Sequence, residues 1–120
     1  MENVNVILFD LIQDYLPEDW EKVVYWALYT DNSYTMKYFV KVNDKYIDCF
    51  DLYSEDILFK LFKNLNNIIQ ECKNKNSKEN WTSLILSVDS NGKFKTDYGY
   101  ENITDNSIEV ENNIKSEYLK

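Results

Sequence analysis

Between Trp20 and Phe50 the chain alternates three strand-like segments with turns of two or three residues. Trp20 to Thr30 is rich in Val, Trp, Tyr and Leu, and Asp31-Asn32-Ser33 then supplies turn chemistry. Tyr34 to Val42 alternates, with Tyr34, Met36, Tyr38 and Val40 on one face and Thr35, Lys37, Phe39 and Lys41 on the other. After the turn at Asn43-Asp44 comes a third segment, Lys45 to Phe50. Parallel neighbours need a crossover of about a dozen residues, which these turns cannot supply, so the three segments pair antiparallel. A second set follows in WTSLILSVDSNGKFKTDYGY, Trp81 to Tyr100. Thr82, Leu84, Leu86 and Val88 alternate with Trp81, Ser83, Ile85 and Ser87, and Phe94, Thr96, Tyr98 and Tyr100 share one face of the returning strand. Asp89-Ser90-Asn91-Gly92 between them is hairpin chemistry, with Gly92 able to take a positive φ.

Helical spacing brackets these strands. Val4, Ile7, Leu8, Leu11, Ile12 and Tyr15 form one stripe, ended at Leu16-Pro17 because the residue before proline avoids helical angles. Ser54 reads as an N-cap, with Glu55 and Asp56 in the first turn. Leu58, Leu61, Phe62, Leu65, Ile68, Ile69 and Cys72 continue at helical spacing, and Lys73 to Asn80 reads as a loop. Val110, Ile114 and Tyr118 suggest a short last helix. The order α-β-β-β-α-β-β-α predicts an α+β fold with a single antiparallel sheet of about five strands and helices packed on one face. A length of 120 residues fits one domain spanning 1–120.

The charge narrows the function. The formal net charge is −8, from 21 acids against 13 bases, all lysine, and histidine is absent. Direct nucleic-acid binding is not expected, because phosphate neutralisation needs a basic surface. A basic protein partner suits this balance. Without histidine, and with Cys49 and Cys72 far apart, a zinc site is not expected, nor is any cofactor. The Asp89 to Gly92 run lacks the spacing and terminal glutamate of a calcium loop. Both cysteines are read as buried, reduced thiols of a cytoplasmic protein. No signal peptide and no apolar run long enough to cross a membrane are evident.

One constellation stands out. Asp48, Asp51, Glu55 and Asp56 place four carboxylates within nine residues. Three readings are open: solvated charge at a helix N-terminus, an acidic patch for a basic partner, and paired carboxylates for acid–base catalysis. Ser and Cys nucleophiles lack a histidine base, and no glycine-rich phosphate loop exists. The aromatic residues Trp20, Trp26, Trp81, Tyr98 and Tyr100 are read mainly as core.

LPEDWEKVVYWALYT, YTMKYFVKVNDKYID and ENWTSLILSVDSNGKFKTDYGYEN, taken in order from Leu16 to Asn102, resemble the YezG-like immunity (antitoxin) family. The resemblance is carried by Pro17 and Trp20, by Trp81-Thr82-Ser83-Leu84, by Gly92-Lys93-Phe94 and by Asp97-Tyr98-Gly99-Tyr100. It implies a small cytoplasmic, non-enzymatic protein of a low-GC Gram-positive bacterium that neutralises a secreted toxin. Such toxins are typically LXG-type chains exported by type VII secretion, and several are nucleases. A nuclease presents a basic groove that an acidic cap can fill. The expected toxin-binding residues are Asp48, Asp51, Glu55, Asp56, Asp97 and Glu101, with Pro17, Trp20, Trp81, Thr82, Gly92, Phe94, Tyr98 and Tyr100 as structural motif positions. The rival readings are a small carboxylate-dependent enzyme and a homo-oligomeric adaptor; whether the protein is a monomer or a dimer is left open.

Overall fold

The structure, a computed structural model, describes residues 4–75 and 80–120. Among these, one antiparallel sheet is formed by β1 (Lys22–Tyr29), β2 (Tyr34–Val42), β3 (Lys45–Asp48), β4 (Ser83–Asp89) and β5 (Phe94–Gly99). The helices are α1 (Val4–Gln13), the short α2 (Cys49–Leu52), α3 (Glu55–Lys75) and α4 (Ser107–Tyr118). The strand order across the sheet is β3-β2-β1-β4-β5. The class and element order thus match the sequence reading, with α2 as an addition where a longer third strand was expected. The loop expected from Lys73 begins later, since α3 runs to Lys75; residues 76–79 of that expected loop lie outside the described residues.

Short turns set the register. Asn43 and Asp44 both have positive φ, 51° and 65°, as a two-residue hairpin loop between β2 and β3 requires. Gly92 has φ +91° in the β4–β5 turn, where the Gly92 amide donates to the Asp89 carbonyl at 2.9 Å.

β1 lies at the centre, paired with β2 and β4, and its interior is buried on both faces. Val23, Tyr25 and Ala27 point to the larger core, with Met36, Tyr38 and Val40 of β2 and Leu84, Leu86 and Val88 of β4. That core is closed by Leu8, Phe9 and Ile12 of α1 and by Leu58, Leu61, Phe62, Leu65 and Ile69 of α3. The alternate residues, Val24, Trp26 and Leu28, point the other way and meet Ile103 and Ile114. Val110 and Tyr118, expected on the helix stripe with Ile114, pack here too. The Trp26 indole N–H donates to a Glu111 carboxylate oxygen at 2.9 Å, tying α4 to the sheet. Helices on one face therefore holds for α1 and α3, whereas α4 covers the opposite face. The physical reason is β1 itself: an unbroken apolar strand has two faces to remove from water.

No helix among the described residues is long and apolar enough to cross a membrane. Cys49 and Cys72 form no disulfide; Cys49 is buried and Cys72 half-buried.

Candidate functional site

Asp48, Asp51, Glu55 and Asp56 follow the end of β3 through α2 into the first turn of α3. They do not have the same surroundings. Asp48 is the N-cap of α2, where its side chain accepts the Phe50 amide at 3.0 Å. Its other oxygen lies 2.6 Å from Lys37 Nζ of β2. The ammonium of Lys37 also lies 5.4 Å from the centre of the Phe39 ring and 5.7 Å from that of Phe50. Asp48 thus closes the corner between strand and helix. Asp51, Glu55 and Asp56 are exposed and form no ion pair among the described residues. Glu55 and Asp56 lie in the first turn of α3, where backbone N–H groups favour negative charge.

The other two expected binding residues lie elsewhere. Asp97 is on β5, opposite Ile85 on the α4 side of the sheet. The Tyr118 hydroxyl donates to its carboxylate, and Lys95 lies 3.8 Å away. Glu101 is exposed just beyond β5, and its carbonyl accepts the Thr82 hydroxyl. The fold therefore gathers the first four carboxylates at the α2–α3 corner and leaves Asp97 and Glu101 outside it.

The motif positions divide between the two ends of the β4–β5 hairpin, and α1 is reached from both: Trp20, Gly92 and Phe94 lie by the turn, Trp81, Thr82, Tyr98 and Tyr100 at the open end. The Trp20 amide donates to the Pro17 carbonyl at 3.2 Å, closing a turn that sets the Trp20 ring 5.8 Å from Phe9 of α1. Phe94 meets the same Phe9 edge-on at 5.3 Å. Trp81 is 3% exposed, with the Lys73 ammonium 3.9 Å from its ring centre and the Tyr98 ring 5.7 Å away. The Tyr98 hydroxyl donates to the Asn5 side-chain oxygen of α1 at 3.3 Å. The Thr82 amide extends the hairpin ladder to the Gly99 carbonyl at 2.7 Å. Tyr100 is the most exposed of the motif aromatics at 60%, and Gly92, Phe94 and Tyr98 are exposed as well.

Sequence reading missed the aromatic residues at the acidic corner. Phe50 is 38% exposed and Phe59 56%, with ring centres 6.3 Å apart. Phe62, beneath them, also meets Phe50 at 6.3 Å. Phe59 falls between the stripe positions Leu58 and Leu61, and a large aromatic off the buried stripe of a helix was the available signal.

Chemically the corner offers charge and apolar area. No group of three or more His, Cys, Asp or Glu arranged to hold a metal occurs among the described residues.

With this arrangement in view, comparison with known proteins places the chain. The family described as "Immunity protein YezG-like" matches residues 2–119. The chain belongs to that family. It is 26% identical over 113 residues to Immunity protein YezG of Bacillus subtilis (strain 168), covering 86% of this chain and 75% of that protein. It is 28% identical over 104 residues to Immunity protein YezG of Bacillus spizizenii (strain W23), covering 77% of this chain and 63% of that one.

Proposed function

We propose that the protein neutralises a cognate secreted toxin by binding it, with no chemistry of its own, and that it does so in the cytoplasm. The observation that carries this reading is the immunity-protein family match along residues 2–119. The net charge of −8 supports a cationic target, and a nuclease domain is the toxin class whose function demands a cationic groove. Asp51, Glu55 and Asp56 are the carboxylates proposed to face it, being exposed and without ion pairs among the described residues. Asp48 is set aside as a structural cap.

The test uses a nuclease-type toxin domain from the same genome, sought first among the neighbouring genes and purified as an inactive variant. Wild-type protein should bind it and protect cells that express the active form. The variant D51N/E55Q/D56N should fold normally, associate more slowly and show a flatter dependence on salt, because steering by exposed charge is screened. A wild-type association rate and salt slope in that variant removes the corner from the interface. Failure of the wild type to bind or protect overturns the immunity reading.

A further inference from the structure

Exposed aromatics scattered singly are ordinary, but a contiguous set is not. Phe59 and Phe50 touch at the α2–α3 corner, and Phe59 lines a groove of about 340 Å³ with Phe62, Tyr34, Thr35 and Met36. Tyr34, at the start of β2, is itself 39% exposed. The groove thus has an apolar floor of Met36 and Phe62, both nearly buried, and two exposed aromatic walls. Charge is distributed unevenly around it. Asp51 adjoins Phe50, and Glu55 and Asp56 lie one helical turn before Phe59. Lys60 and Lys63 follow on the next turn, both exposed. Around the Phe59 wall the helix surface is therefore acidic towards α2 and basic further along α3.

We propose that this groove is the anchor point of the toxin interface, and that its occupant is an apolar side chain of the toxin flanked by lysine or arginine. This deepens the reading above and rests on it. Protein interfaces concentrate their affinity in aromatic pockets that lose their water on binding, with nearby charge contributing mainly register and rate. The uneven charge also fixes an orientation: the cationic side of the toxin segment faces α2, away from Lys60 and Lys63.

The experiment measures binding of the inactive toxin domain to wild type, Phe59→Ser, Tyr34→Ser and a control, Ile108→Ser. Ile108 is 76% exposed on α4, on the opposite side of the sheet. Far-ultraviolet dichroism and melting temperature confirm folding, and Phe59 and Tyr34 provide two independent walls of the groove. The expected result is a loss of affinity of roughly thirtyfold or more for a groove variant, mostly through faster dissociation, with Ile108→Ser unchanged. Folded groove variants that bind like wild type overturn the anchor and leave the immunity reading standing. Equal losses in all three variants also overturn it. A wild-type protein that binds no toxin domain overturns the underlying reading and the anchor with it.

Discussion

Lys37 Nζ lies 2.6 Å from Asp48 Oδ2, joining the middle of β2 to the end of β3 and separating Asp48 from the three carboxylates that follow it. The same aspartate caps α2 through the Phe50 amide. Asp48→Ala should therefore cost about 1–2 kcal/mol of folding stability, measured by chemical denaturation. It should leave the salt slope of toxin association where wild type has it. A stable Asp48→Ala protein with a flattened slope would transfer Asp48 back to the interface.

Trp20 and Trp81 occupy equivalent places in the sequence, each just before a strand, but not in the structure. Trp81 is held among Lys73, Tyr29 and Tyr98 and is almost fully buried, whereas Trp20 is half-buried against Phe9. Trp81→Ala should cost about 3–5 kcal/mol, as large buried aromatics do. Trp20→Ala should cost roughly half of that or less. Equal denaturation midpoints for the two variants would contradict this ranking.

A Cβ added to Gly99 would come within 2.3 Å of the Ser83 hydroxyl oxygen but stay 3.6 Å from the Ser83 Cβ. The Ser83 hydroxyl can turn away to another χ1 rotamer, so Gly99→Ala should cost under about 1 kcal/mol. In a Ser83→Ala background the clash is gone, and the same substitution should be nearly neutral. The double-mutant cycle measures this coupling directly; additivity would show that Ser83 is not the obstacle.

The Tyr25 hydroxyl is buried in the larger core and has no hydrogen-bond partner among the described residues. Burial, with Tyr29 and Tyr34 adding to it, raises its pKa well above 10.0. Burial also raises the Tyr38 phenol, and it pushes the Cys49 thiol up from 9.0 to about 12. In the unfolded chain these groups ionise near their ordinary values, about 9 for the thiol and 10 for the phenols, whereas in the folded chain they stay protonated, so above about pH 9 the folded state holds more protons. Their contribution is complete below that pH and is lost as pH rises towards 12. Denaturation midpoints should be flat from pH 7 to 8.5 and fall beyond it. Tyr25→Phe should raise stability by about 1 kcal/mol at pH 7 and soften the alkaline fall, since it removes an unsatisfied buried hydroxyl. A Tyr25→Phe protein less stable than wild type would show that the hydroxyl is satisfied in solution.

Much of the architecture was legible because periodicity and turn chemistry are local signals. Tyr34–Val42 has the bounds its alternation gave it, and Gly92 has the positive φ its hairpin needed. The side taken by α4 was not local information. Val110, Ile114 and Tyr118 define an apolar stripe, but a stripe does not say which sheet face it meets. The missing clue lay in KVVYWALY, a strand with no polar alternation and therefore two faces to cover. The acidic corner was legible as a run of carboxylates. What the run could not reveal was that Asp48 is held by Lys37, eleven positions earlier, or that Phe50 and Phe59 meet across the turn between two helices. Such contacts are decided by packing between segments.

The two-sided burial of β1 also orders events during synthesis. The ribosome delivers α1, the first three strands and α3 early, so the Val23–Tyr25–Ala27 side can begin to close while the rest of the chain is still emerging. The Val24–Trp26–Leu28 side has no cover until Ile103 and α4 emerge, nearly at the end of the described chain. A nascent molecule therefore carries a sticky apolar strip from the time β1 is made until Ile103 and α4 follow it. Ribosome stalling or proteolytic trimming ahead of Ile114 would leave that strip exposed, and such fragments are candidates for rapid clearance by the cell's quality control.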